Sequence, residues 1–406
     1  VNGDSSLKVG ANLGRYSLSM PSNFSFGLGE SNETWQQYYY YTGIDPVTKA
    51  PTGLTPIGGR IQQPGKDGIP PSVDQVAATN LKAPMEDMAQ IYVQKQLGRN
   101  WIGQVDIGVN NLKRVINETC DYTLIESWAH SHGYPNYSDP QYCFEINPGN
   151  PITVVRDFAG NGTKTAMTIP SSALGLAAPR HKYYHLTLDL NHVRTADEPW
   201  YLGLSYTWTH SYGNTSGYLD LSRQGGYGQG YIGQQDLWDF PQQMLGASGN
   251  LPNDIRHSFT ASGVYYFANG LRPSFTLAVH SGEPLSCFGF IPQTIPGDAY
   301  LQDYGYYYGD SYFCNGKMVT QGSAGRLPWY VQLNVGLGYD MKFGNHSKLS
   351  LDIDIQNVTN HRGVINRYQY HDANIAADGS IIVDPNYGQA SYQAPRTTYL
   401  VLRYTY

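Results

Sequence analysis

The chain has 406 residues and a formal net charge of -6, which sets it apart from general binders of nucleic acid or anionic lipid. Mean hydropathy is -0.43, and no run of about 18 apolar residues is present to form a helical membrane span. Only 14% of residues are charged while 13% are aromatic, with 45 Gly and 35 Tyr against 12 Phe. That is too aromatic for disorder and suits strands with one apolar and one wet face.

Taken in chain order, alternation of period two predicts strands over 5–18, 87–97, 101–111, 183–193, 200–211, 257–268 and 272–282. The eighth, 331–343, sets Val331, Leu333, Val335 and Leu337 against Gln332, Asn334, Gly336 and Gly338. In the ninth, 348–356, Leu349, Leu351 and Ile353 oppose Ser350, Asp352 and Asp354. A helix would smear such residues around its whole surface. The tenth strand, 397–406, points Leu400, Leu402, Tyr404 and Tyr406 one way and Val401, Arg403 and Thr405 the other.

Connection lengths alternate as well. Short turns fall at Gly98-Arg99-Asn100, Thr195 to Pro199, Asn269-Gly270 and Gly344 to Ser347, and Asn-Gly is the strongest short-range hairpin signal. Between them run long polar connections over 19–86, 112–182, 212–256, 283–328 and 361–396. Short turns on one side and long loops on the other mark a transmembrane β-barrel, whereas a soluble β-sandwich would need no aromatic girdle. Trp200 and Trp208 share a face eight steps apart. At about 3.3 Å per step and a tilt of about 40° they stand roughly 20 Å apart along the membrane normal, close to the apolar band of such barrels.

Four cysteines admit three pairings, and none has zinc-ligand spacing. Local pairing, Cys120 with Cys143 and Cys287 with Cys314, is expected because each pair sits inside one long connection. Cross-pairing or four free thiols are the alternatives. Bridges would imply an oxidising compartment.

Several stretches together resemble one family: "LKVGANLGRYSLSMPSNFSF", "NLKAPMEDMAQIYVQKQLGRNW", "LPNDIRHSFTASGVY", "DIQNVTNHRG" and "YQAPRTTYLVLRYTY". They are similar to the C-terminal barrel region of TonB-dependent outer-membrane receptors, the Oar-like group above all. The resemblance implies an all-β fold in which 1–406 is a single domain, the C-terminal ten-strand part of an antiparallel barrel of about 22 strands. The family's plug and first strands would precede it. It implies a multi-pass place in the bacterial outer membrane and energy-coupled import of a bulky nutrient such as a siderophore, glycan or peptide. Membrane lipid and a TonB-type energy-transducing complex, reached through the plug, are the expected partners, and a surface lipoprotein is a further one the family admits. A passive porin and a ten-stranded outer-membrane protease are the competing readings.

Enzyme chemistry finds little support in the residues. His130, Ser131 and His132 are adjacent, but no motif places an acid beside them. His185 and Asp189 lie four residues apart on one strand face, about 13 Å and out of reach. No catalytic residue, metal or cofactor is expected. The aromatic loop clusters suit binding better, because Tyr joins a large contact area to a polar tip. Candidate ligand contacts are Trp35, Tyr38, Tyr39, Tyr40 and Tyr41 in the first long connection, Trp128 in the second, and Tyr306, Tyr307 and Tyr308 near Cys287 and Cys314. The plain alternative is that these rings pack the loops against one another.

Overall fold

A computed structural model describes residues 6–17, 34–63, 72–139, 143–217, 238–297, 311–343 and 347–406. Ten long strands form one sheet: β1 (Leu7–Ser17), β2 (Met85–Gln96), β3 (Trp101–Arg114), β4 (His181–His192), β5 (Trp200–Gly213), β6 (His257–Tyr265), β7 (Leu271–His280), β8 (Tyr330–Phe343), β9 (Ser347–Gln356) and β10 (Thr397–Thr405). Each pairs antiparallel with its neighbour in sequence, in the uninterrupted order β1 to β10. A two-residue strand, Gly249–Asn250, lengthens the sheet beside the end of β5. The expected meander is present, and its ends differ from the sequence-based bounds by a few residues.

Register decides which side chains share a face, since directly paired residues in an antiparallel sheet point the same way. On one face Leu351 pairs with Tyr339 and Leu402, and Ile353 with Leu337 and Leu400. Further along, Ile91 meets Ala11 and Ile107. This face is open, with Leu13 84% exposed and Leu402 66%. It ends toward the short turns in a cluster where His192 stacks on Trp200 at 3.5 Å and Trp101 sits edge-on at 5.8 Å from Trp200. Such a rim beside an apolar face matches the aromatic belt at a membrane boundary.

The opposite face carries Ser, Thr, Gly, Asn, Gln and charged groups. Arg272 reaches Asp340 at 3.0 Å and Asp352 at 2.9 Å, and Lys348 reaches Asp340 at 2.9 Å. Asp352 is thus an ion-pair partner of the inner wall. Glycines on both faces are covered by rings from the adjacent strand. Tyr92 lies across Gly10, and Phe275 across Gly263, each pair directly opposed. A Cβ at either glycine would meet ring atoms at 2.3 and 2.6 Å, so the ring and the bare backbone form one packing unit.

The long connections depart from what their polarity suggests. They contain a helix, α1 (Thr123–Ser131), and small hairpins such as Asn117–Thr119 with Phe144–Ile146 and Ile152–Arg156 with Thr165–Ile169. The largest buried cluster among the described residues lies almost wholly here, with Leu112 at the end of β3 joining it from the sheet. Phe144, Ile146, Ile152, Ile169, Leu174, Trp238 and Phe288, from three different connections, close on one another. A sheet whose apolar face turns to lipid cannot supply a water-excluded core, so the connections build their own. Cys120 is joined to Cys143 and Cys287 to Cys314, both within this loop body.

Candidate functional site

The long-connection side offers two surfaces: the loop body and an arm. The arm is the hairpin of Thr34–Tyr40 with Thr55–Gln63, its tip closed by the pairing of Gly43–Ile44 with Pro51–Thr52. Asp45 holds that tip, accepting from the amides of Val47 at 2.8 Å and Thr48 at 2.7 Å. Those amide bonds, Thr48 first, keep its carboxyl below the usual range. Along the arm Tyr38, Tyr39, Tyr40 and Tyr41 are 57, 46, 69 and 56% exposed. Trp35 lies in the same strand. Four consecutive rings therefore stand open, alternating between the two faces of the arm.

Trp128 sits differently. It is half-buried on α1, packed against the loop core and stacked on His132 with centroids 4.0 Å apart. The residues beside it close the helix: Ser131 Oγ donates to the Trp128 carbonyl at 2.8 Å, and His132 Nδ1 lies 2.8 Å from the same oxygen. Ser131 and His132 touch at 3.0 Å, but both are engaged in this cap. Tyr306, Tyr307 and Tyr308 lie outside the described residues. Tyr312, from the same aromatic stretch, is fully buried 5.3 Å from Phe288. One cluster among the described residues has metal-ligand spacing, Glu118 with Cys120 and Cys143, and the disulfide takes both of its sulfurs.

Asp139 and Glu145 are two of the buried acids of the loop body. Asp139 accepts from Arg156 Nε at 2.9 Å and from the Tyr137 hydroxyl. Burial outweighs the nearby guanidinium and lifts its carboxyl above the usual range, and burial with the Asp139 charge likewise lifts the Tyr137 phenol. Glu145 is opposite Glu118 across the small hairpin, and its Oε2 accepts no hydrogen bond from the described residues. Burial first, then the charge of Asp239, pushes its carboxyl well above the ordinary value. An acid with a raised folded pKa contributes stability that is complete below its unfolded value and lost as pH rises. Glu145→Gln is therefore expected to stabilise the protein at about pH 7 by on the order of 2 kcal/mol, and to change nothing near about pH 3. Thermal unfolding of both proteins at the two pH values measures this.

On the inner wall His185 meets an acid that sequence spacing could not find. Its Nε2 is 2.6 Å from Asp106 Oδ1 on β3, and Gln90 from β2 donates to the other oxygen at 2.8 Å. The pair exists because register sets His185 opposite Gly108, whose missing side chain makes room for the ring.

An antiparallel meander with an apolar outer face, a polar inner face, an aromatic rim and long connections on one side is a stretch of transmembrane β-barrel. Over 190 residues, 46% of this chain, it is 27% identical to the TonB-dependent transporter Oar of Myxococcus xanthus. The match takes in only 16% of that transporter's length. The chain resembles TonB-dependent outer-membrane receptors, the Oar kind in particular, and its place is the bacterial outer membrane. Among solved structures, the outer membrane transporter YddB from Escherichia coli aligns with 82% of this chain and 35% of its own, at 13% identity and a TM-score of 0.42. The ferric-catecholate import receptor Fiu from E. coli aligns with 98% of this chain and 42% of its own, at 10% identity and a TM-score of 0.39. No family model matches the chain.

Proposed function

We propose that these residues are the C-terminal strands of a larger, plugged barrel of about 22 strands that imports a bulky nutrient through coupling to a TonB-type complex. The sequence match to a TonB-dependent transporter carries this reading. The sheet agrees with it, because β1 and β10 each have only one strand neighbour among the described residues and lipid does not tolerate an open edge. Ligand capture falls to the long-connection side, with the tyrosines of the arm making first contact and Tyr306 to Tyr308 adding to them. Trp128 supports the loop body from behind. A siderophore, glycan or peptide each suits a surface rich in Tyr and poor in charge.

Cells carrying the full receptor are expected to lose uptake when the inner-membrane proton gradient is collapsed, while surface binding of ligand persists. Uptake that continued unchanged would decide for a passive pore. The double variant Tyr39→Ala, Tyr40→Ala should weaken surface binding on the order of tenfold with the barrel still folded, as read by heat-modified gel migration.

A further inference from the structure

The hairpin of Ile152–Arg156 with Thr165–Ile169 carries Asn161 and Gly162 in its connecting loop. The order Asn-Gly opens a backbone nitrogen to the side-chain amide before it, since Gly has no Cβ to shield that nitrogen. Three such pairs lie among the described residues: Asn161-Gly162, Asn269-Gly270 and Asn315-Gly316. The first has surroundings that the other two lack. Asp157 Oδ2 accepts from the Gly162 amide at 2.7 Å, and Asp157 Oδ1 from the Asn161 amide at 3.1 Å. The Asn161 side chain is turned forward, its Oδ1 accepting from the Thr163 amide at 2.9 Å. A carboxylate thus holds the nitrogen that would attack, and a backbone N–H holds the oxygen of the carbonyl it would attack.

The loop is fixed at both ends and open between them. Phe158 is buried and tilted against Tyr134 and Tyr137, with centroids 5.3 and 4.9 Å away. Lys164 closes the other end in a 2.6 Å ion pair with Asp74. Between these anchors Gly160 and Gly162 take φ of 68° and 82°, which lets the chain curl around the Asp157 carboxylate. Asn161 and Gly162 are themselves exposed, so water reaches the side-chain amide. At Asn269-Gly270 the Gly nitrogen donates to the Phe267 carbonyl at 3.0 Å, a far weaker base than a carboxylate. At Asn315-Gly316 the acid, Asp372, accepts from the Asn315 amide at 3.3 Å. The Gly316 amide meets no carboxylate among the described residues.

We propose that Asn161 is a self-modifying residue, which Asp157 converts through a cyclic imide into isoaspartate. The Gly162 nitrogen bonds to Asn161 Cγ while its hydrogen passes to the Asp157 carboxylate. The Asn161 side-chain oxygen, negative at that moment, is stabilised by the Thr163 N–H. The carbonyl then re-forms and the Cγ–Nδ2 bond breaks, the nitrogen leaving as ammonia with the proton that Asp157 had taken. Water, the only co-reactant, opens the imide. Opening at the main-chain carbonyl of Asn161 leaves the backbone running through the former side chain and frees a new carboxylate. The product sets that charge beside Asp157 and lengthens the main chain, so the cradle opens once the reaction is complete.

The test stores the full receptor, folded in detergent, at neutral pH in heavy-oxygen water. Trypsin cuts after Arg156 and Lys164 and frees the peptide 157–164, in which mass spectrometry and isoaspartate-specific methylation count the product. Asn161 should convert about tenfold faster than Asn269 and Asn315 in the same sample. D157N keeps an acceptor for the Gly162 amide but cannot take its proton. It should slow conversion about tenfold with unchanged heat-modified migration. N161Q should yield no product in this peptide over the same period. Equal conversion at the three Asn-Gly pairs, or product that persists in N161Q, would overturn the assignment. So would a D157N rate equal to or above the parent's, which would mean that Asp157 only ties the nitrogen down. The readout is a covalent change in one peptide, so failure here leaves energy-coupled uptake untouched.

Discussion

Arg156→Ala is expected to open the loop body at a cost of about 3–5 kcal/mol, the usual range for breaking a buried ion pair from one side. The side chains of Arg156 and Asp139 are only 4% and 2% exposed. Arg156 does more than pair with Asp139. It donates to the backbone oxygens of Asp74 and of Gln75, the latter at 3.1 Å, and lies 5.1 Å over the Phe144 ring. It therefore fastens the short helix Val73–Val76 to the hairpin that holds the core. Its loss strands the Asp139 carboxyl without a cation and frees two carbonyls. Hydrogen exchange should show amides of 72–79 and 152–156 opening together, with β7 to β10 unaffected. The double variant R156M/D139N, which removes both charges, should recover a large part of the loss. If the single variant exchanged like the parent, the pair would not be holding the loop body.

Leu351→Arg should weaken insertion into lipid by about 2–4 kcal/mol if the site lies near the bilayer midplane. Leu351 stands midway along β9, between Tyr339 and Leu402 on the apolar face. The same change at the next residue, Asp352→Arg, places the charge on the polar face beside Arg272, where like-charge repulsion but no lipid contact results. Refolding into lipid vesicles, followed against urea, separates the two sites. Equal costs at 351 and 352 would mean that the faces are assigned wrongly, since a one-residue slip exchanges them.

The strands were legible because their physics is local. A residue pointing at lipid must be apolar and the next must not, and that alternation survives in Leu349 to Gln356 without knowledge of any neighbour. Asn269-Gly270 was legible for the same reason, Gly270 taking a φ of 91° that few other residues adopt. The loop body was not legible. Phe144, Trp238 and Phe288 sit in short apolar runs too brief to show a period, and only folding brings them together. Their nearest sequence signal was the cysteines, since bridges at 120–143 and 287–314 imply fixed geometry in those connections. The His185–Asp106 contact depends on register between β3 and β4, with the two residues 79 positions apart. Period alone does not set register.

The shared core of the connections also governs the order of assembly. The sheet can zip strand by strand, since every strand pairs with its neighbour in sequence. The core cannot, because Val115 and Ile125 await Trp238, and both await Phe288 and Tyr312. Contacts that distant close slowly, after many short-range ones have formed. Synthesis and membrane insertion would therefore leave a barrel wall with open, sticky connections until the region around residue 312 is in place. During that interval, Cys120 and Cys143, 23 positions apart, can already be joined, making the first bridge an early clasp and the second a late one.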